Sequence, residues 1–120
     1  MDGTESFILS LVVKYDFLKS IYKEHIKDYD ELLPHVFMGD LTRKVMYLDS
    51  LIRSNKDSSA VVLVLKDLMS DLENGLNTGS DEIKELINVS FIENLSDYEY
   101  REHIKIYFGK ALLNEYKKVF

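Results

Sequence analysis

With no cysteine in its 120 residues, the chain offers three histidines and twenty-one carboxylates as its main chemical groups. His25 and Asp28 lie three apart, on one face if the segment is helical, with Glu24 adjacent. Imidazole plus carboxylate could hold a divalent metal, but a site needs three or four ligands and no second histidine is near. The plainer reading is a solvated helix face, so no metal and no cofactor is expected. His103 and Glu99, four apart, read as an ordinary surface pair. His35 differs, because Pro34, Gly39 and Asp40 surround it in the one irregular segment. Together with Asp40 and Arg43 it could line a pocket between helices, although such a histidine also serves to bond a helix end.

Paired carboxylates are numerous. Asp81, Glu82 and Glu85 form one group, and Asp97, Glu99 and Glu102 form another. General acid–base work would need a pair held in a cleft, and acids at helix starts already have capping and dipole roles. GxSxG, P-loop, dinucleotide and HExxH patterns are all missing. The lack of cysteine excludes a disulfide framework, thiolate catalysis and thiolate zinc sites. The expectation is that the chain is not an enzyme.

Charge is uneven along the chain. From Asp67 to Glu102 ten acids face two bases, Lys84 and Arg101, a balance of −8, while the remaining residues sum to +2 and the whole to −6. A concentrated negative field attracts cationic partners and repels polyanions. Tyr98 and Tyr100 sit inside this block, where aromatic rings supply buried area while acids, Glu93 included, steer a basic partner. Nucleic acid is disfavoured: phosphate binding needs clustered bases, and Lys110, Lys117 and Lys118 are the only such support.

These groups need elements to hold them. Phe7, Ile8, Leu11, Val12, Tyr15, Leu18, Tyr22, Ile26 and Tyr29 recur at steps of three and four, which predicts one helix from about Glu5 to Tyr29, capped by Thr4 or Asp2. Pro34 ends that region or opens the next helix. Gly39-Asp40 predicts a second break, with Asp40 as N-cap of a helix carrying Leu41, Val45, Leu48 and Ile52. Residues 54–59 read as a polar turn. Val61 to Leu65 is apolar enough for a strand, but no second strand exists to pair with it, so 59–74 reads as a buried helix ended by Asn74-Gly75. Residues 77–80 read as a loop, and Ser80-Asp81-Glu82 opens a helix whose apolar face is Ile83, Leu86, Ile87, Phe91 and Leu95. Ser96 to Glu99 reads as a capping box with Leu95 and Tyr100 as staple. A helix with Ile104, Tyr107 and Phe108 stops near Gly109, and a last one holds Ala111, Leu112 and Tyr116. The expected architecture is all-α, one domain over residues 1–120, a bundle of five or six helices.

Glu31-Leu32-Leu33-Pro34-His35-Val36-Phe37-Met38-Gly39-Asp40-Leu41-Thr42-Arg43, taken with Ile87-Asn88-Val89-Ser90-Phe91-Ile92-Glu93-Asn94-Leu95, resembles an uncharacterised family of short bacterial proteins. Its members share an ELLPH-x-FMGD block, a VSF-x-EN-L block and a glycine before the final helix, here Gly109; where they often have a following proline, this chain has Lys110. The resemblance implies a small intracellular bacterial helical domain and brings no activity, cofactor or catalytic residue. Without ligand, the first block has an architectural reading: Phe37 and Met38 pack inward, Gly39 allows close backbone approach, Asp40 caps and Arg43 pairs with an acid.

The functional expectation is a cytoplasmic, acidic protein-binding module of the immunity or antitoxin kind that engages a basic partner. Alternatives are a small-molecule or regulatory sensor with a pocket at His35, and a structural homodimer. The acidic start shows no secretory pattern, and no stretch approaches the roughly 20 apolar residues of a membrane span.

Overall fold

The computed structural model describes residues 3–54 and 59–120. Seven α-helices follow one another among these residues, with no strand: α1 (Gly3–Lys14), α2 (Asp16–Tyr29), α3 (Pro34–Arg53), α4 (Ser59–Thr78), α5 (Asp81–Ile87), α6 (Tyr98–Ile104) and α7 (Lys110–Val119). A π-helical segment (Asn88–Ile92) continues α5, and a 3₁₀ turn (Lys105–Tyr107) continues α6. The count exceeds the expected five or six because the first predicted helix is two. Tyr15 is extended between them (φ −115°, ψ 112°). Nothing in the local sequence breaks the helix there. Its side chain is buried, and its hydroxyl donates to Asp71 of α4 at 2.5 Å, so a tertiary anchor makes the corner. Burial, and then that carboxylate, push the Tyr15 hydroxyl well above the ordinary tyrosine range.

Other boundaries move for similar reasons. Thr4 lies inside α1 and is buried, so it is not the cap, and Asp2 is outside the described residues. Asp30 ends α2 in the left-handed conformation (φ 64°), its N–H reaching Ile26 O. Pro34 then occupies the first turn of α3, where its missing N–H is not needed. The predicted break at Gly39-Asp40 does not occur: α3 runs straight through, and Asp40 is an interior residue paired with Arg43 rather than an N-cap. Gly39 is buried, yet a Cβ built there would meet nothing closer than 3.6 Å, so close backbone approach is not its reason. Of the predicted turn, residues 55–58 lie outside the described residues.

Val61 to Leu65 is helical, inside α4, as read from the lack of a pairing strand. Gly75 does not end α4, which continues to Thr78. It is a packing glycine instead, since a Cβ there would stand 2.8 Å from Ile87 and 3.1 Å from Phe7. The loop shrinks to Gly79 and Ser80, and Ser80 caps α5 by accepting from Ile83 N. At α6 the N-cap is Asp97, not Ser96: its carboxylate accepts from Glu99 N at 3.0 Å and Tyr100 N at 3.3 Å.

All the α-helices contribute to one apolar cluster. Phe37, Met38 and Leu41 of α3 join Leu65, Leu68, Met69 and Leu72 of α4, closed by Leu86 and Ile87 of α5, Phe91 of the π segment, and Ile104 and Leu112. Burying each such side chain contributes about 1.5–3 kcal/mol. Of the predicted apolar face of α5 and its continuation, Leu86, Ile87, Phe91 and Leu95 are fully buried and Ile83 is partly buried against the core. No helix among the described residues is long and apolar enough to cross a membrane.

Candidate functional site

The two sequence blocks meet in space. α3 packs directly on the π segment, and His35 Nδ1 lies 2.5 Å from Ser90 Oγ. The π segment carries the physical reason. Its wider turn pairs Glu93 N with Asn88 O, after which Asn94 N reverts to Phe91 O and Leu95 N to Ile92 O. Ser90 O is thereby left without a backbone donor, and side chains take over. Asn94 Nδ2 donates to it at 2.8 Å, and Thr42 Oγ1 stands 3.1 Å away while also 2.7 Å from Met38 O. A buried carbonyl without a partner would cost about 1–3 kcal/mol. Thr42 of the first block thus helps to satisfy a carbonyl that the π segment of the second leaves open.

His35, Asp40 and Arg43 do not share one role. His35 holds Ser90, while Asp40 and Arg43 form an ion pair along α3. Asp40 lines a cleft of about 330 Å³ whose other walls are Ile21, Glu24, His25, Asp28 and Tyr29 of α2. His25 is therefore not on a solvated face. It is 2% exposed, its ring lies tilted against Tyr29 at 4.9 Å, and its Nε2 accepts from Leu33 N at 2.9 Å, which ties the corner after α2. Its Nδ1 is buried without a partner among the described residues. Glu24 and Asp28 are exposed, and no three His, Asp or Glu side chains among the described residues are grouped to hold a metal.

His103 likewise leaves its predicted partner. Its Nδ1 meets Asp49 Oδ1, and Asp49 is 0% exposed. Arg53 Nε stands 3.2 Å from the other Asp49 oxygen, an ion pair without hydrogen-bond alignment. Tyr100 stacks on the Arg53 guanidinium at 4.3 Å, and Glu99 reaches Arg53 at 3.4 Å. Burial, and then the Asp49 charge, push the Tyr107 hydroxyl upward. Asp49 and Ser90 are the polar residues that sequence reasoning passed over. A charged residue on the apolar stripe of Val45, Leu48 and Ile52 was the available signal for Asp49.

The predicted acidic block divides by use. Asp71 binds Lys14 and Tyr15, and Glu73 accepts from the N-terminus of α7. Asp97 caps α6, Glu99 meets Arg53, and Glu102 accepts from Lys105 and Tyr116. Asp81, Glu82 and Glu85 on α5, and Glu93 after the π segment, are exposed and have no ion pair among the described residues. Tyr98 is 66% exposed; Arg101 lies between its ring (5.0 Å) and that of Phe120 (4.3 Å). α5 packs on α1, α3 and α4, whereas α6 packs on α3.

Residues 11–120 match one protein family, described as a domain of unknown function (DUF7674). No curated protein and no solved structure matches the chain.

Proposed function

We propose that this chain, which belongs to the DUF7674 family of domains of unknown function, is a protein-binding module that engages a basic partner through α5. One observation carries the reading. Asp81, Glu82, Glu85 and Glu93 stand in solvent with no ion pair among the described residues, whereas Asp71 and Glu73 of α4 and Asp97, Glu99 and Glu102 at α6 are spent on caps, hydroxyls and cations of this same chain. Exposed carboxylates without an ion pair in their own chain are free to steer a cation and then neutralise it. Tyr98, with Arg101 stacked on it, offers the aromatic anchor that α5 lacks. Within this reading the module is bacterial and cytoplasmic, as the ELLPH-x-FMGD resemblance and the lack of cysteine imply, and is of the immunity or antitoxin kind. That last step is analogy from size and charge.

The experiment is co-purification with a basic protein encoded in the neighbouring reading frame. Capture should weaken sharply as salt rises from about 50 to about 500 mM, and Asp81→Lys with Glu82→Lys and Glu85→Lys should abolish it. Tyr98→Ala with Glu99→Lys should weaken capture without unfolding. A salt-independent complex, or one indifferent to the α5 reversal, removes the basis for this reading. The sensor alternative draws support from one of its three residues, Asp40, which borders a cleft.

A further inference from the structure

We infer that two copies of this chain pair through the N-terminal half of α4, the two helices lying side by side and parallel about a two-fold axis. The inference does not draw on the α5 carboxylates and stands or falls apart from the proposed basic partner.

The sequence of α4 makes the face. Val61-Val62-Leu63-Val64-Leu65 places five apolar residues in a row on a helix, and more than one turn of such residues points in every direction. A helix that is apolar on all sides is ordinarily buried on all sides. Here a single chain covers only part of it: Leu65 is fully buried, whereas Leu63 is 63% exposed and Ala60 is exposed. On the same turns of α4 lies a groove of about 160 Å³, walled among the described residues by Phe17 of α2, Leu48 of α3, and Ala60, Val61 and Val64 of α4. All five walls are apolar, and a cavity of this scale takes one benzene-sized group.

Shape and charge together select a second copy as the occupant. Leu63 is a knob and the groove is a hole, both carried by α4 at one height along its axis. A two-fold axis along the helix sets each Leu63 against the other copy's groove, the reciprocal contact of an isologous interface. The net charge of −6 opposes self-association through the acidic surfaces. This face carries both signs. Lys66 and Asp67, exposed and one turn beyond Leu63, have no ion pair among the described residues, and Asp16 beside Phe17 is already paired with Lys19 at 2.7 Å. The same axis brings Lys66 of each copy to Asp67 of the other, so the face is complementary to itself.

Sedimentation equilibrium between about 10 μM and about 1 mM tests this. The chain should show a monomer–dimer equilibrium that persists as salt rises from about 50 to about 500 mM, unlike capture through α5. Leu63→Lys should weaken the dimer by a factor of about one hundred, with the urea midpoint of the dilute monomer unchanged because that side chain is exposed. Lys66→Asp alone and Asp67→Lys alone should each weaken it about tenfold, and the double exchange should restore it. A chain still monomeric at about 1 mM, a dimer indifferent to Leu63→Lys, or an exchange that fails to restore it would each overturn the inference. A monomer that captures a basic protein overturns this inference alone, and a dimer that captures none overturns only the α5 reading.

Discussion

Glu73 occupies the space that a side chain at Gly109 would need. A Cβ built at position 109 would lie 2.5 Å from Glu73 Cδ and 2.7 Å from its Oε1. The carboxylate is there because it accepts from Ala111 N at 2.7 Å and Leu112 N at 2.9 Å, so a residue of α4 caps α7 from outside. Gly109 adopts an ordinary extended backbone (φ −79°), and its missing side chain, not its conformational freedom, is what the fold uses.

Gly109→Ala should therefore displace Glu73 and cost about 1–2 kcal/mol, the value of a lost helix cap. Glu73→Ala should cost a similar amount. In the double variant the alanine meets no carboxylate, so the two costs should not add. Urea denaturation of the four proteins measures this coupling, and additive costs would show that Glu73 and Gly109 act separately.

Glu102 links α6 to α7 through Tyr116, with a pH signature at both ends. The hydrogen bond from Lys105, then that from Tyr116, hold the Glu102 carboxyl below its ordinary value of 4.5. Burial, and then Glu102 itself, push Tyr116 from 10.0 up to about 12. A lowered carboxyl contributes fully above 4.5 and loses that contribution as pH falls, whereas a raised tyrosine contributes below 10.0 and loses it as pH rises towards 12. Glu102→Gln should flatten the acid side of the stability profile. Tyr116→Phe should remove one of the late-ionising tyrosines from an alkaline absorbance titration. Unchanged profiles would mean the pair does not form in solution.

Asp49 is the buried hub between α3 and α6. Removing one member of a buried ionic pair costs about 3–5 kcal/mol when the remaining charge stays buried. Here His103 and Arg53 keep 32% and 27% of their side-chain surface exposed, so solvent softens the loss. Asp49→Ala should cost about 3 kcal/mol, and His103→Ala less, because Arg53 still meets the carboxylate. A change within about 0.5 kcal/mol in the denaturation midpoint of Asp49→Ala would show that the hub is solvated.

Asn94 should be the dominant support of the π segment. Asn94→Ala removes the 2.8 Å donor to Ser90 O and should destabilise by about 1–3 kcal/mol. Thr42→Val should cost less, since that hydroxyl has one proton for two carbonyls. Amide exchange at residues 88–95 reads both effects, and equal acceleration in the two variants would reverse this ranking.

Much of the architecture was legible because it is local. The steps of three and four among apolar residues placed the apolar faces of the helices, and Ser80 before two acids marked the start of α5, whereas Pro34 by itself allowed either the end of one helix or the opening of α3. The misreadings share one physical cause. Tyr15 turns the chain, and Gly39 fails to, through contacts or their lack with residues far along the sequence. Gly75 and Gly109 looked like punctuation but are spaces for Ile87 and Glu73. The predicted site was half legible: the acids were visible, but sequence neighbours could not reveal which were already committed to Lys14, Arg53, Tyr116 or the α7 amides.

The chain by itself determined an all-helical fold and an excess of negative charge between Asp67 and Glu102, because periodicity and composition are properties of residues and their nearest neighbours. Only the tertiary structure decided which polar groups remain available. Hydrogen bonds and ion pairs at helix ends and in the core are satisfied across 38 to 57 residues of sequence, as in Glu73 with Ala111 and Lys14 with Asp71. What is left over, the α5 carboxylates and the unpartnered nitrogen of His25, emerges only after that long-range pairing is complete.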